Sequence, residues 1–258
     1  MRHHVVMDDL IIKRNYDWVR LTLNRPAVRN ALNTALLSRL ADALDQLAKD
    51  ASCRVVMICG EGGNFAAGAD IGEIESKSSA EGAVDPRKGF WSRICAFPKP
   101  MVAAVDGFCL GGGFELALMA DCMVLGGTAK LGLPETNLGL IPGAGGAQRL
   151  LALVGRARAM RMVMLGEIID AVTAEAWGIA GWRVEGSAIG EAEALCTKLA
   201  ARAPLALTAA KRCILRGEEN SLAFAEERAA FESLLDSADK AEGIVAFRAK
   251  RKPDFTGR

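Results

Sequence analysis

The stretch DGFCLGGGFELALMAD, residues 106–121, decides the reading of this chain. Three consecutive glycines, Gly111, Gly112 and Gly113, run into a strongly apolar segment that holds one carboxylate, Glu115. Glycine triplets disfavour regular structure, and an isolated carboxylate in an apolar run is costly to bury. Small residues ahead of a helix solve both problems at once. They let a ligand approach free backbone N–H groups, and the helix dipole favours negative charge there. The spacing predicts a short helix over 113–120, with Glu115 on its first turn.

Outward from this stretch, strands and helices alternate. Met101–Val105 and Cys122–Leu125 are short apolar runs that read as buried strands. Upstream, Val19, Leu21 and Leu23 alternate with Trp18, Arg20 and Thr22. This predicts a half-buried strand, paired through a turn at Asn15-Tyr16-Asp17 with a strand near 9–13. A helix is expected over about 33–50, because Leu32, Leu36, Leu37, Leu40, Leu44 and Leu47 recur at three- and four-residue steps. A buried strand, Arg54–Cys59, follows. The alternation predicts an α/β core. From about 155 onward helical patterns dominate, at 155–165, 173–178, 191–202, 205–216, 220–236 and 239–250, with Pro204 starting one of them. The chain is therefore divided into an α/β core, 1–198, and a helical C-terminal region, 199–258.

A second loop repeats the design of the first. Phe65-Ala66-Ala67-Gly68-Ala69-Asp70 places small residues ahead of a short helix starting at Ile71. If its N–H groups converge with those of the glycine triplet, the pair forms an oxyanion hole. Other glycine motifs fail. The GxGxxG pattern breaks at Leu116 and again at Gln148, and no Gly-Lys pair exists for a phosphate-binding loop. A second carboxylate in apolar surroundings, Glu135, follows Pro134 in KLGLPETNLGLIPGAGG. Brought beside Glu115, it would divide acid and base work with it. The alternative is that Glu115 caps its own helix and Glu135 makes a turn hydrogen bond.

Bulk properties exclude several classes. With 51% hydrophobic residues the 258-residue chain has ample core material, and a net charge of +1 with no basic block argues against nucleic acid or an anionic membrane as partner. No apolar run reaches the length of a membrane span, and the first residues lack a secretory signal, so a cytoplasmic location is expected. The seven cysteines are odd in number, without a CxxC, and read mostly as buried free thiols. Both histidines, His3 and His4, lie at the extreme N-terminus, which disfavours a His-dependent triad or a His-based metal site.

The motifs NRPAVRNAL (24–32), FAAGADI (65–71), KP-x-x-AAV-x-G (99–107), GGGFELAL (111–118), GLPETNLGLIPGAGGAQRL (132–150) and KRKPDFTGR (250–258) resemble the enoyl-CoA hydratase, or crotonase, superfamily. The resemblance runs from about residue 10 to the C-terminus. It implies a spiral of ββα units with a helical C-terminal trimerisation region, assembled as a homotrimer or dimer of trimers. It also implies an acyl-CoA thioester as substrate, with no separate cofactor because coenzyme A belongs to the substrate.

Carried over motif by motif, the oxyanion hole would be the N–H groups of Ala69 and Gly112, and the hydratase glutamates would be Glu115 and Glu135. The implied reaction is syn addition of water to a 2-trans-enoyl-CoA, as in fatty-acid β-oxidation. Glu135 would be the main acid/base and Glu115 its water-orienting partner. Substrate and CoA contacts would come from Arg29, Ala67, Asp70, Ile71, Gly111 and Trp91, and from Lys250 of a neighbouring subunit. Many members carry Lys after the proline of NRP; Ala27 stands there in this chain, and Arg29 would take over its role. The 74–97 region reads as a mobile loop leading into a helix, where Phe90 and Trp91 would line the acyl chain.

Within the family the chain looks most like the hydratases of bacterial phenylacetate catabolism, which act on 2,3-dehydroadipyl-CoA. The shared features are LTLNRPAVRNALNTALL, the Pro-x-x-x-x-Trp-x-Arg spacing at 86–93 and the terminal PDFTGR. A distal carboxylate on such a substrate would require a cation, from Arg87, Lys88 or Arg93. Two other classes compete. An enoyl-CoA Δ3–Δ2 isomerase is disfavoured by the presence of both glutamates. A non-catalytic RNA-binding homologue would need a lysine-rich helix. The 33–50 segment offers only Arg39 and Lys49 against Asp42, Asp45 and Asp50.

Overall fold

In the computed structural model, the residues described are 5–7, 9–202, 204–218, 229, 231, 232, 234–251 and 253. His3, His4, most of the helical pattern at 220–236 and the terminal TGR lie outside them. The expected N-terminal hairpin is present. Strand β2 (Leu10–Asn15) pairs antiparallel with β3 (Trp18–Leu23), Leu10 facing Leu23 and Asn15 facing Trp18. Tyr16 makes the tight turn at φ 49°. A short strand β1 (Val5–Met7) lies antiparallel on the outer edge of β2.

From β3 the sheet continues in parallel through β4 (Val55–Gly60), β5 (Met101–Val105), β7 (Cys122–Leu125) and β10 (Trp182–Arg183). Parallel neighbours need crossover connections. Helix α1 (Thr34–Lys49) makes the first. Its N-terminus is capped by Asn33, whose side chain accepts from the Leu36 N–H, and its leucine face is buried. Two helices sit in the second crossover, α2 (Ser79–Ala83) and α3 (Arg87–Cys95), and α3 packs on α1. The region read as a loop before a helix thus holds an extra helix, started by a capping box between Ser78 and Glu81.

Strand β3 is not half-buried as its alternation implied. Trp18 and Thr22 are buried along with Val19, Leu21 and Leu23, and Arg20 alone in the strand is partly exposed. The reason is helix α7 (Ile189–Ala200), which lays Ala192, Leu195, Cys196 and Ala200 on that second face against Val55, Met57 and Val102. Strands in a parallel sheet with both faces covered are buried on both sides, whatever their local alternation. The expected boundary at 198/199 falls in the last turn of this helix.

A second, three-stranded sheet carries the site. Strand β6 (Phe108–Leu110) runs parallel to β8 (Lys130–Gly132), and β8 pairs antiparallel with β9 (Ile169–Asp170). Helix α4 (Gly112–Leu118) follows β6 directly. Helix α5 (Gly146–Met164) begins well before the expected 155 and bends at Gly155, which has φ 74°. Its first half follows a glycine-rich run that masks the helical pattern, although Leu150 and Val154 are buried along it. Helices α6 (Ala171–Ala176), α8 (Pro204–Glu218) and α9 (Ala238–Arg248) complete the described chain, with α8 starting at Pro204 as expected. Cys53, Cys59, Cys109 and Cys196 are buried free thiols, whereas Cys95 is exposed. Among the described residues, no helix is long and apolar enough to cross a membrane.

Candidate active site

The glycine triplet is where two chain segments meet. Leu110 N–H donates to the Ala66 carbonyl and Ala66 N–H to the Phe108 carbonyl, so the 65–69 segment lies along β6. A Cβ on Gly113 would stand 2.3 Å from the Ala66 oxygen, so only glycine allows α4 to start this close. Gly111 adopts φ 49° as the N-cap of α4, and a Cβ there would lie 3.1 Å from Glu135 Oε1. On its other side the 65–69 segment is tied to Leu32, which donates to Gly68 O at 2.8 Å and accepts from Asp70 N at 3.0 Å.

Among the N–H groups these bonds leave over are those of Ala69 and Gly112. Ala69 N–H falls between the paired Gly68 and Asp70, and Gly112 N–H is the first of α4, where no intrahelical acceptor exists. Neither has an acceptor among the described residues. They adjoin each other: the Cβ direction of Gly112 passes 3.6 Å from Ala69 N. Buried Asn30 supports this loop from behind, donating to the carbonyls of Glu61 and Asn64 at 2.9 and 2.7 Å and accepting from Arg25 N–H at 2.9 Å. Sequence reasoning missed Asn30, although it sits in the NRPAVRNAL motif.

Glu115 is buried on the first turn of α4. It does not cap its own helix. Its Oε1 accepts from Ala144 N–H at 2.7 Å, just ahead of α5, and from Gly146 N–H at 3.0 Å, the first residue of α5. Burial pushes its pKa up, and these N–H groups with the Arg149 charge pull in the other direction. Glu135 opens a single 3-10 turn, Glu135–Leu138, after Pro134, and helix α9 packs on that turn.

Both carboxylates, Ala69 and Gly112 line one cavity of about 390 Å³. Arg29, Ala67, Ile71, Gly111 and Trp91 line it too. Asp70 and Lys250 do not. The Asp70 carboxylate accepts from Arg25 Nη1 at 3.0 Å and from Gly72 N–H at 3.2 Å, and Lys250 is exposed just past α9. Arg29 stacks over the Phe108 ring at 5.0 Å. Phe90 packs into the main core and takes no part in the cavity wall. The remaining wall is apolar and comes from distant parts of the chain, notably Leu32, Ile74, Leu140, Phe231 and Phe247.

The sequence model described as Enoyl-CoA hydratase/isomerase matches residues 15–258. The chain belongs to the enoyl-CoA hydratase/isomerase family. Among its relatives is a 2,3-dehydroadipyl-CoA hydratase of Escherichia coli (strain K12), 46% identical over 98% of this chain and 100% of that protein. A probable enoyl-CoA hydratase of Rhizobium meliloti (strain 1021) is 41% identical over 92% of this chain and 94% of its own. The crystal structure of carnitinyl-CoA hydratase from Mycobacterium avium superposes with a TM-score of 0.87 at 33% identity, covering 98% of this chain and 100% of that one. The mixed α/β architecture is thus the crotonase fold of the family.

Proposed function

We propose that this chain is an enoyl-CoA hydratase, a hydro-lyase that adds water syn across a 2-trans-enoyl-CoA to give the 3-hydroxyacyl-CoA. One observation carries the reading: two carboxylates and two backbone donors without acceptors share one largely apolar cavity. The N–H groups of Ala69 and Gly112 hold the thioester oxygen, which makes Cβ electrophilic. Glu135 takes a proton from water as its oxygen bonds to Cβ, while the π electrons move onto the held oxygen. Collapse of this enolate takes a proton at Cα from the carboxyl, so one water is added in all. Glu115, fixed by the Ala144 and Gly146 N–H groups, orients the water and shares the base role.

The CoA portion lies along Ala67, Ile71 and Gly111, with Arg29 toward its phosphates and Trp91 beside the acyl chain. Lys250 reaches a neighbouring subunit's site. Exposed apolar side chains at Met160, Met164, Leu165, Ile168 and Val172 support a face covered in a homotrimer or dimer of trimers. Free buried thiols suit the reducing cytoplasm. No cofactor beyond the substrate's own CoA is required.

The test is hydration of crotonyl-CoA and longer enoyl-CoAs, followed by loss of the conjugated enoyl absorbance, for wild type, Glu115→Gln and Glu135→Gln. Each substitution should lower kcat by about 10²–10⁴ while the variants stay folded. Unchanged turnover in both would overturn the two-carboxylate mechanism.

A further inference from the structure

Three cations, Arg87, Lys88 and Arg93, lie within α3, and the structure separates them. Lys88 donates to Ala83 O and pairs with Glu232. Arg93 pairs with Asp42 and Asp45 on α1. Neither lines the cavity. Arg87 does, with its side chain only 6% exposed.

A buried guanidinium in an apolar wall needs partners. Arg87 has some. Its Nε and Nη2 grip buried Asp85, at 2.9 and 2.7 Å to Oδ2. But Asp85 is shared, since Lys77 Nζ also binds Oδ2 at 2.5 Å. The other carboxylate nearby, Glu73, meets Arg87 Nη1 at 3.8 Å, too far for a hydrogen bond. Its Oε2 already accepts from the Thr34 N–H and hydroxyl at 2.8 and 2.7 Å. Nη1 therefore holds its hydrogens without an acceptor among the described residues. One side of the guanidinium is fixed and the other is unspent.

Its position gives the unspent side a use. Trp91 lies one helical turn on from Arg87, and its ring edge is 3.8 Å from the Cβ direction of Gly112. Arg87 is thus about 6 Å along the helix axis from the residue beside the proposed oxyanion site. The walls around this part of the cavity, Ile74, Leu140 and Phe231, form one apolar cluster.

We infer that Arg87 is a specificity-determining residue whose free guanidinium edge binds an anionic group, a carboxylate, at the distal end of the acyl chain. The inference rests on the hydratase reading above and adds the acyl class: a short chain terminated by a carboxylate. Asp85 and Lys77 hold the guanidinium in place. An uncharged chain end would leave Nη1 dehydrated and unpaired, and sites of that kind reject analogues lacking the matching polar group.

The experiment compares kcat/KM for a six-carbon 2-enoyl-CoA ending in a free carboxylate with that for its methyl ester, a neutral substrate of the same chain. The wild type should prefer the carboxylate by about 10- to 100-fold. In Arg87→Met the ratio should fall to about one. Because the ratio is read within one protein, general damage cancels. If Arg87→Met does not fold, Arg87→Met/Asp85→Asn removes both buried charges together and should give the same ratio. A wild-type ratio near one, or a ratio retained in the folded variants, would overturn the assignment. Failure to hydrate either thioester would instead strike the hydratase reading itself.

Discussion

Gly113→Ala tests whether close packing of two segments sets the reactive geometry. The added Cβ would lie 2.3 Å from the Ala66 carbonyl oxygen and 2.7 Å from the Ala66 Cβ, where ordinary contacts begin near 3.4 Å. Backbone and Cβ atoms cannot swing aside as a long side chain can. The start of α4 and the 65–69 segment must therefore part by about 1 Å. Overpacking of this kind costs about 1–3 kcal/mol, which lowers Tm by roughly 2–12 °C in a protein of this size. The functional cost should be larger, because Ala69 and Gly112 lie on the two segments being separated. Misplacement of reacting partners by about 1 Å can cost on the order of 100-fold in rate. Calorimetry and the enoyl-CoA hydration assay measure the two effects separately. A variant with unchanged Tm and kcat/KM within about twofold of wild type would refute the claim that this contact sets the site.

Three further outcomes are expected. Gly112→Pro should keep α4, whose first position tolerates a missing N–H, yet lower kcat by about 10²–10³ by deleting one donor; circular dichroism with the hydration assay checks this. Burial raises the Glu115 pKa, so its contribution to stability is full below the unfolded value near 4.3 and is lost as pH rises through the folded value. Glu115→Gln should thus gain Tm relative to wild type from pH 4 to 8, measured by thermal unfolding. Asp85 behaves oppositely: burial pushes it up, but Arg87 and Lys77 outweigh that and hold it well below the usual carboxylate range. Its contribution is present above about pH 3.9 and lost as pH falls through the folded value. Asp85→Asn should cost about 3–5 kcal/mol at pH 7 by leaving Arg87 and Lys77 unpaired, and less on acidification, in denaturant titrations.

Much of the fold was legible because local chemistry agrees with it. The α1 leucine face, the Tyr16 turn and Pro204 each name their own element. The covered second face of β3 was not legible, because it depends on α7, more than 160 residues away. The start of α5 was hidden for a different reason: Gly143, Gly145 and Gly146 read as loop, although Gly146 is glycine because a Cβ would meet Glu115 Cγ at 2.8 Å. The site divides along the same line. Backbone donors and carboxylates announce themselves by small residues and by charge in apolar runs. Cavity walls such as Leu140, Phe231 and Phe247 look like ordinary core residues until the chain is folded. Arg87 could be named as one of three cations, but only burial and its shared partner Asp85 single it out.

This cavity adds water to a conjugated thioester and does not merely move its double bond. Turnover of crotonyl-CoA in ¹⁸O-labelled water, followed by mass spectrometry of the product, measures this directly. The expected product is a 3-hydroxybutyryl-CoA carrying the heavy oxygen on its hydroxyl group. Recovery of unlabelled thioester alone, unchanged or with its double bond shifted, would contradict it.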